Sequence, residues 1–126
     1  MLEGVQTLLS PHGALAIENA YFLDTVTRGE FDQIYHEHMY YYNLRGITAM
    51  LHHYDLDLVD VFHSQVHGGT MLYVAQLKSE KPLVNARVRE YLEKEKNMHK
   101  KEFYKEFIGQ IQKNKHGLNH LLEKLT

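Results

Sequence analysis

The chain has 126 residues, 44% of them apolar and 24% charged, the make-up of one ordinary globular domain that can bury about two-thirds of its unfolded surface. Fourteen lysines and arginines against sixteen aspartates and glutamates leave a net charge of −2, which excludes the electrostatic footprint of a nucleic-acid or anionic-membrane binder. The absence of cysteine excludes disulfides and thiolate metal sites and fits a cytoplasmic protein. No apolar run approaches the ~20 residues of a membrane span, and the N-terminus lacks the basic-then-apolar layout of a signal peptide. The ten histidines are the one compositional oddity.

In chain order, residues 2–9 have helix spacing and are stopped by Ser10-Pro11-His12-Gly13. Residues 14–19, a short and nearly continuous apolar run, read as a buried strand. Tyr21 to Tyr42 has no clean period and reads as a loop or short helical turns. Asn43 can cap a helix whose Ile47, Met50, Leu51 and Tyr54 share one face. Two strands follow, residues 56–63 and 70–77, joined through His67-Gly68-Gly69 as an antiparallel hairpin with a long loop. Composition shifts at residues 78–82, where Pro82 is expected to start a helix.

Everything beyond is helical in pattern. Val84, Val88, Tyr91 and Leu92 form one stripe. Tyr104, Phe107, Ile111, Asn114, Leu118, Leu121 and Leu125 alternate at spacings of three and four, a heptad seam. The seam fits packing on this chain's own globular part and helix pairing between chains equally well. Gly117 inside it costs about 1 kcal/mol relative to alanine, so a kink or fraying is expected there. The strand–helix–strand–strand order is that of a doubly wound sheet finishing with a reversed strand. The fold class is therefore α/β, a partial Rossmann-like sheet of about three strands followed by long C-terminal helices. Residues 1–78 form the α/β part and residues 79–126 a helical extension.

The most informative stretch is Tyr35-His36-Glu37-His38, four proton-exchanging side chains in a row. If extended, it would turn Tyr35 and Glu37 one way and His36 and His38 the other. Such a run is too polar for core and points to chemistry. His36, Glu37, His38 and His67 also invite a metal reading, because His-x-His on a strand presents two imidazoles together. The spacing that puts two ligands on one helical face is missing. Glu18, at the end of the first strand, stands where open α/β sheets place ligand contacts.

Residues 30–38, then Leu44 and the helix to Tyr54, then Leu58-Val59-Asp60-Val61 and His67-Gly68-Gly69-Thr70, closely resemble the S-adenosylmethionine-dependent C-methyltransferases of nucleotide-linked 4-keto-deoxysugars. In that family the pattern F-D-x-I-Y-H-E-H leads to an apolar helix and then to V-x-D-V and H-G-G-S. The match runs in order over about residues 2 to 77. The resemblance implies that His38 is the base removing a proton beside the sugar ketone, a role suited to an imidazole of ordinary pKa ~6.5. It implies that Tyr35 and Glu37 orient the base and hold sugar hydroxyls; His36 is read as structural. It places His67, Gly68, Gly69 and Thr70 in a loop beside the sugar.

The resemblance also implies S-adenosylmethionine as cofactor. The family's cysteine-rich zinc module and its donor-binding half have no counterpart in this sequence. The expectation is a chain inactive alone, or one working beside a complementing polypeptide. The unpaired edge of a half-sheet further leads us to expect a homo-oligomer. A non-catalytic oligomerisation module and a His/Glu metal-binding protein are the alternative readings.

Overall fold

The computed structural model describes residues 2–125. Asn43 caps the central helix as the sequence predicts. Its side-chain oxygen accepts the Gly46 N–H at 2.8 Å, and α3 runs over Leu44–His53. Leu44, Ile47 and Leu51 of this helix are fully buried. They pack on one face of a three-stranded sheet made of β1 (Leu15–Ala20), β2 (Leu56–Ser64) and β3 (Thr70–Leu77). Leu58, Val61, Met71, Tyr73 and Ala75 supply the sheet's side of the core. The valine, leucine, isoleucine and methionine side chains among them each contribute about 1.5–3 kcal/mol on burial.

The sheet order is β1-β3-β2, and β3 is antiparallel to both neighbours. β1 and β2 therefore run in the same direction, with α2 (Phe22–Arg28) and α3 in the connection between them. The expected α/β class, the three strands, the closing hairpin and the long C-terminal helix are all present. α1 (Leu2–Leu8) adds Leu2 to the core. No helix among the described residues is long and apolar enough to cross a membrane.

Two local expectations are corrected, at Pro82 and at Gly117, and one is met: of the loop or short helical turns expected after Tyr21, α2 forms, despite the β-branched Thr25, Val26 and Thr27. Gly29, at φ 73°, closes it by donating its N–H to the Thr25 carbonyl. Pro82 starts no helix, because α4 (Ala86–Lys94) begins under Asn85. The Asn85 N–H donates to the Val59 carbonyl at 2.8 Å, which holds the chain along β2 until that point. Finally, α5 (Phe103–Leu125) continues through Gly117 without a break.

The apolar stripe packs as read: Val88 of α4 is buried, and Val84, just before the helix, lies with Tyr91 and Leu92 against the core. Just past this helix, the fully buried Glu95 ties α4 to the start of α3. Its carboxylate accepts the Leu44 N–H at 2.7 Å, the Arg45 N–H at 3.3 Å and the Tyr21 hydroxyl at 3.0 Å. Burial raises the Glu95 pKa, and the two amides and the hydroxyl oppose that rise. The same burial, with Glu95 alongside, raises the pKa of Tyr21.

Candidate active site

Residues 35–38 are not extended. The His38 N–H donates to the Tyr35 carbonyl at 3.0 Å, closing a turn that brings residues 35 and 38 onto the same side. The rings of Tyr35 and His38 lie 4.3 Å apart between centroids, and the Tyr35 hydroxyl is 3.2 Å from His38 Nε2. His38 Nδ1 is 2.9 Å from the Gln33 carbonyl. A carbonyl only accepts, so Nδ1 carries the proton and Nε2 presents its lone pair. His38 is half-buried, whereas His36 is exposed, 3.9 Å from Glu37 and edge-on to the Tyr35 ring.

His38 and Glu37 line a cleft of about 390 Å³ with Gln33 and the run from Met39 to Tyr42. The floor of the cleft is the end of β1, Asn19 and Ala20, together with Thr25 of α2. Asn19 shares the apolar sheet face of Leu15 and Ile17, as its pairing with Met71 shows. Its side-chain oxygen is enclosed and has no hydrogen-bond partner. An acceptor left in that state is costly unless something fills the cleft. The sequence reading missed Asn19. Its signal was a polar residue falling, at a period of two, on an apolar face.

The other expected site residues lie elsewhere. Glu18 is exposed in the middle of β1, opposite Leu72. His67 (φ 52°), Gly68 (φ 83°) and Gly69 (φ 129°) form the β2–β3 turn, and Thr70 is buried in register with Ala20. That turn docks on α2. The Arg28 guanidinium donates to the Gly68 carbonyl and to Gln65, each at 2.5 Å. The Glu30 carboxylate lies against Gly68 and that of Asp24 against Gly69. Asp24 also meets His63 Nε2 at 2.5 Å, with the His63 ring edge-on to Tyr21. None of this second cluster was expected from the sequence.

Among the described residues, no three His, Asp or Glu side chains are grouped to hold a metal. Nor do they form a glycine-rich strand–turn–helix for a nucleotide-like cofactor. The turn leaving β1 is filled by the buried Tyr21, and the spaces beside Gly68 and Gly69 are filled by carboxylates. S-adenosylmethionine therefore finds no seat of that kind among them.

Comparison with known proteins points to C-methyltransferases. Residues 65–126 match the family described as the C-methyltransferase C-terminal domain. The chain is also 32% identical over 97 residues to the C-methyltransferase NovU of Streptomyces niveus. That alignment covers 77% of this chain and 23% of NovU, so the chain spans under a quarter of the length of that C-methyltransferase. The resemblance read from the sequence is thus borne out at the level of a C-methyltransferase.

Proposed function

We propose that the cleft at His38 is the substrate side of a C-methyltransferase acting on a nucleotide-linked keto-deoxysugar. The carrying observation is the fixed imidazole, with Nδ1–H on the Gln33 carbonyl and the Nε2 lone pair beside Tyr35 at the cleft. His38 Nε2 removes the proton from the carbon next to the ketone. The C–H electron pair moves into the ketone to give an enolate, and the Gln33 carbonyl holds the imidazolium that results. The Tyr35 hydroxyl, released from Nε2, and the unpartnered Asn19 oxygen serve the sugar's oxygens and hydroxyls. Glu37 and the exposed Tyr40 complete the wall, tyrosine faces and a carboxylate being a suitable surface for a sugar ring. Methyl transfer itself then depends on a donor site contributed by another polypeptide or by further sequence, with S-adenosylmethionine the donor that the family implies.

The first half-reaction is measurable without a donor. The chain, mixed with a nucleotide-linked 4-keto-deoxysugar in deuterated water, is expected to exchange the hydrogen beside the ketone, followed by proton NMR. His38→Ala should slow that exchange at least about 100-fold, the lower end of what general bases contribute. Tyr35→Phe should slow it less. Exchange that persists at the original rate in His38→Ala would sink the base assignment.

A further inference from the structure

The His38 imidazole hangs on one backbone acceptor, and that acceptor stands on a segment held by polar contacts. The Gln33 carbonyl opposite Nδ1 ends a single 3₁₀ turn, Phe31–Gln33, which buries none of its side chains. The far anchor of the segment is Tyr42, whose carbonyl accepts the Phe22 N–H at 3.1 Å. The near anchor is Glu30. Its N–H donates to the Thr25 carbonyl at 3.0 Å, and its own carbonyl accepts the Gln33 N–H at 3.1 Å. Glu30 thus joins the end of α2 directly to the turn that carries the acceptor. At the same place α2 is fastened to the β2–β3 turn. Arg28 spans two acceptors there, the Gly68 carbonyl and the Gln65 side chain, each at 2.5 Å. It also lies 3.7 Å from Asp24 and 4.0 Å from Glu30, and the Glu30 carboxylate fills the space beside Gly68.

We propose that Arg28 is a positioning residue for His38: by clamping the end of α2 to the β2–β3 turn, it fixes Glu30, and through Glu30 the Gln33 carbonyl. The inference rests on the proposed role of His38 in proton removal. It also gives the His67-Gly68-Gly69-Thr70 turn a task, since none of those four residues lines the cleft. The turn braces the base from outside. Arginine suits the clamp because its planar guanidinium reaches both acceptors at once, whereas a lysine ammonium is a point charge on a flexible stem. A carbonyl that keeps the proton on Nδ1 leaves Nε2 as the basic nitrogen. An imidazole freed from that carbonyl divides between two tautomers, and only one of them offers Nε2 as the base.

The tautomer is read without substrate, from the nitrogen NMR shifts of the His38 ring in the full chain. The wild type is expected to show a protonated Nδ1 and a bare Nε2. In Arg28→Ala both shifts should move toward the averaged pattern of a free histidine. Hydrogen exchange beside the ketone should then slow about tenfold, in kcat with KM little changed, the scale of a small misplacement. Arg28→Lys should recover only part of either signal. Gln65→Ala, at an exposed position, removes one of the two acceptors and should move the same signals less. It decides the matter where Arg28→Ala fails to fold. Ring shifts identical to the wild type in the variant that folds overturn the proposal and leave the reaction standing, as does a wild-type ring protonated on Nε2. A responsive tautomer in a wild type that exchanges no hydrogen would sink the reaction instead and uphold the hold of Arg28 on the imidazole.

Discussion

Glu95 shows how one side chain can set the geometry of the site. Its carboxylate satisfies two of the first amides of α3 and the Tyr21 hydroxyl, so it fixes where α3 begins and where β1 hands over to α2. Glu95→Ala leaves two amides and a hydroxyl buried without partners, each worth about 1–3 kcal/mol. A loss of roughly 3 kcal/mol or more is expected, read as a fall in the urea midpoint. A change under about 0.5 kcal/mol, the scale of ordinary surface substitutions, would show that water replaces the carboxylate. Nothing in the sequence marks Glu95, which sits in a run of lysines and glutamates that reads as a solvated helix face. Its burial follows from the way α4 packs on β2, a long-range fact. The Tyr35–His38 motif stood out in the sequence, because four adjacent polar groups resist burial. Its geometry was not, since an i to i+3 turn and an extended run fit the same four residues.

Among the elements, the β2–β3 turn is the one whose sequence and structure differ most in meaning. A Gly-Gly turn suggests room for a ligand, yet the room beside the two glycines is taken by the Asp24 carboxylate of α2 and by that of Glu30. Gly69→Ala adds a Cβ that overlaps the Asp24 carboxylate at a φ of 129°, a conformation L-residues rarely adopt. A destabilisation of about 1–3 kcal/mol is expected, the cost typical of such strained backbone, with the His63 ring resonances shifted as Asp24 is pushed away. Unchanged His63 signals would mean that the turn is not held by α2. The sequence left both a loop and short helical turns open over α2, because its β-branched residues carry little helical preference, and tertiary packing of Thr25 and Val26 decides for the helix. In α5 the seam was visible but not its extent. Phe103, Tyr104, Phe107 and Ile111 are partly covered, α2 being the neighbouring helix, whereas residues 112–125 are exposed. Their amides are expected to exchange with solvent much faster than those of β3, measured by hydrogen exchange at neutral pH. Equal protection along α5 would indicate a partner on its second half.

At the scale of the whole molecule, two carboxylates pull the pH dependence of stability in opposite directions. The closing hairpin and the α3 core were legible because period and capping agreed with the packing, but the ionic groups that join the layers come from distant positions. Asp60 is held below its ordinary pKa by the Arg87 guanidinium on β2's outer side. Glu95 is held above its own by burial. For Asp60 the unfolded chain binds more protons, so its contribution is present above the unfolded value of ~3.9 and is lost as pH falls through the lower native value. For Glu95 the native state binds more protons, so stability is lost as pH rises from the unfolded value of ~4.3 towards the raised native value. Urea midpoints of the wild type, Asp60→Asn and Glu95→Gln, taken from pH 3 to 7, separate the two. The gap between wild type and Asp60→Asn should widen in the wild type's favour as pH rises through the acidic range. The gap between wild type and Glu95→Gln should move against the wild type over the window above ~4.3. Drift of the same sign in both pairs would show that burial does not govern Glu95, and that its three hydrogen bonds hold it ionised throughout.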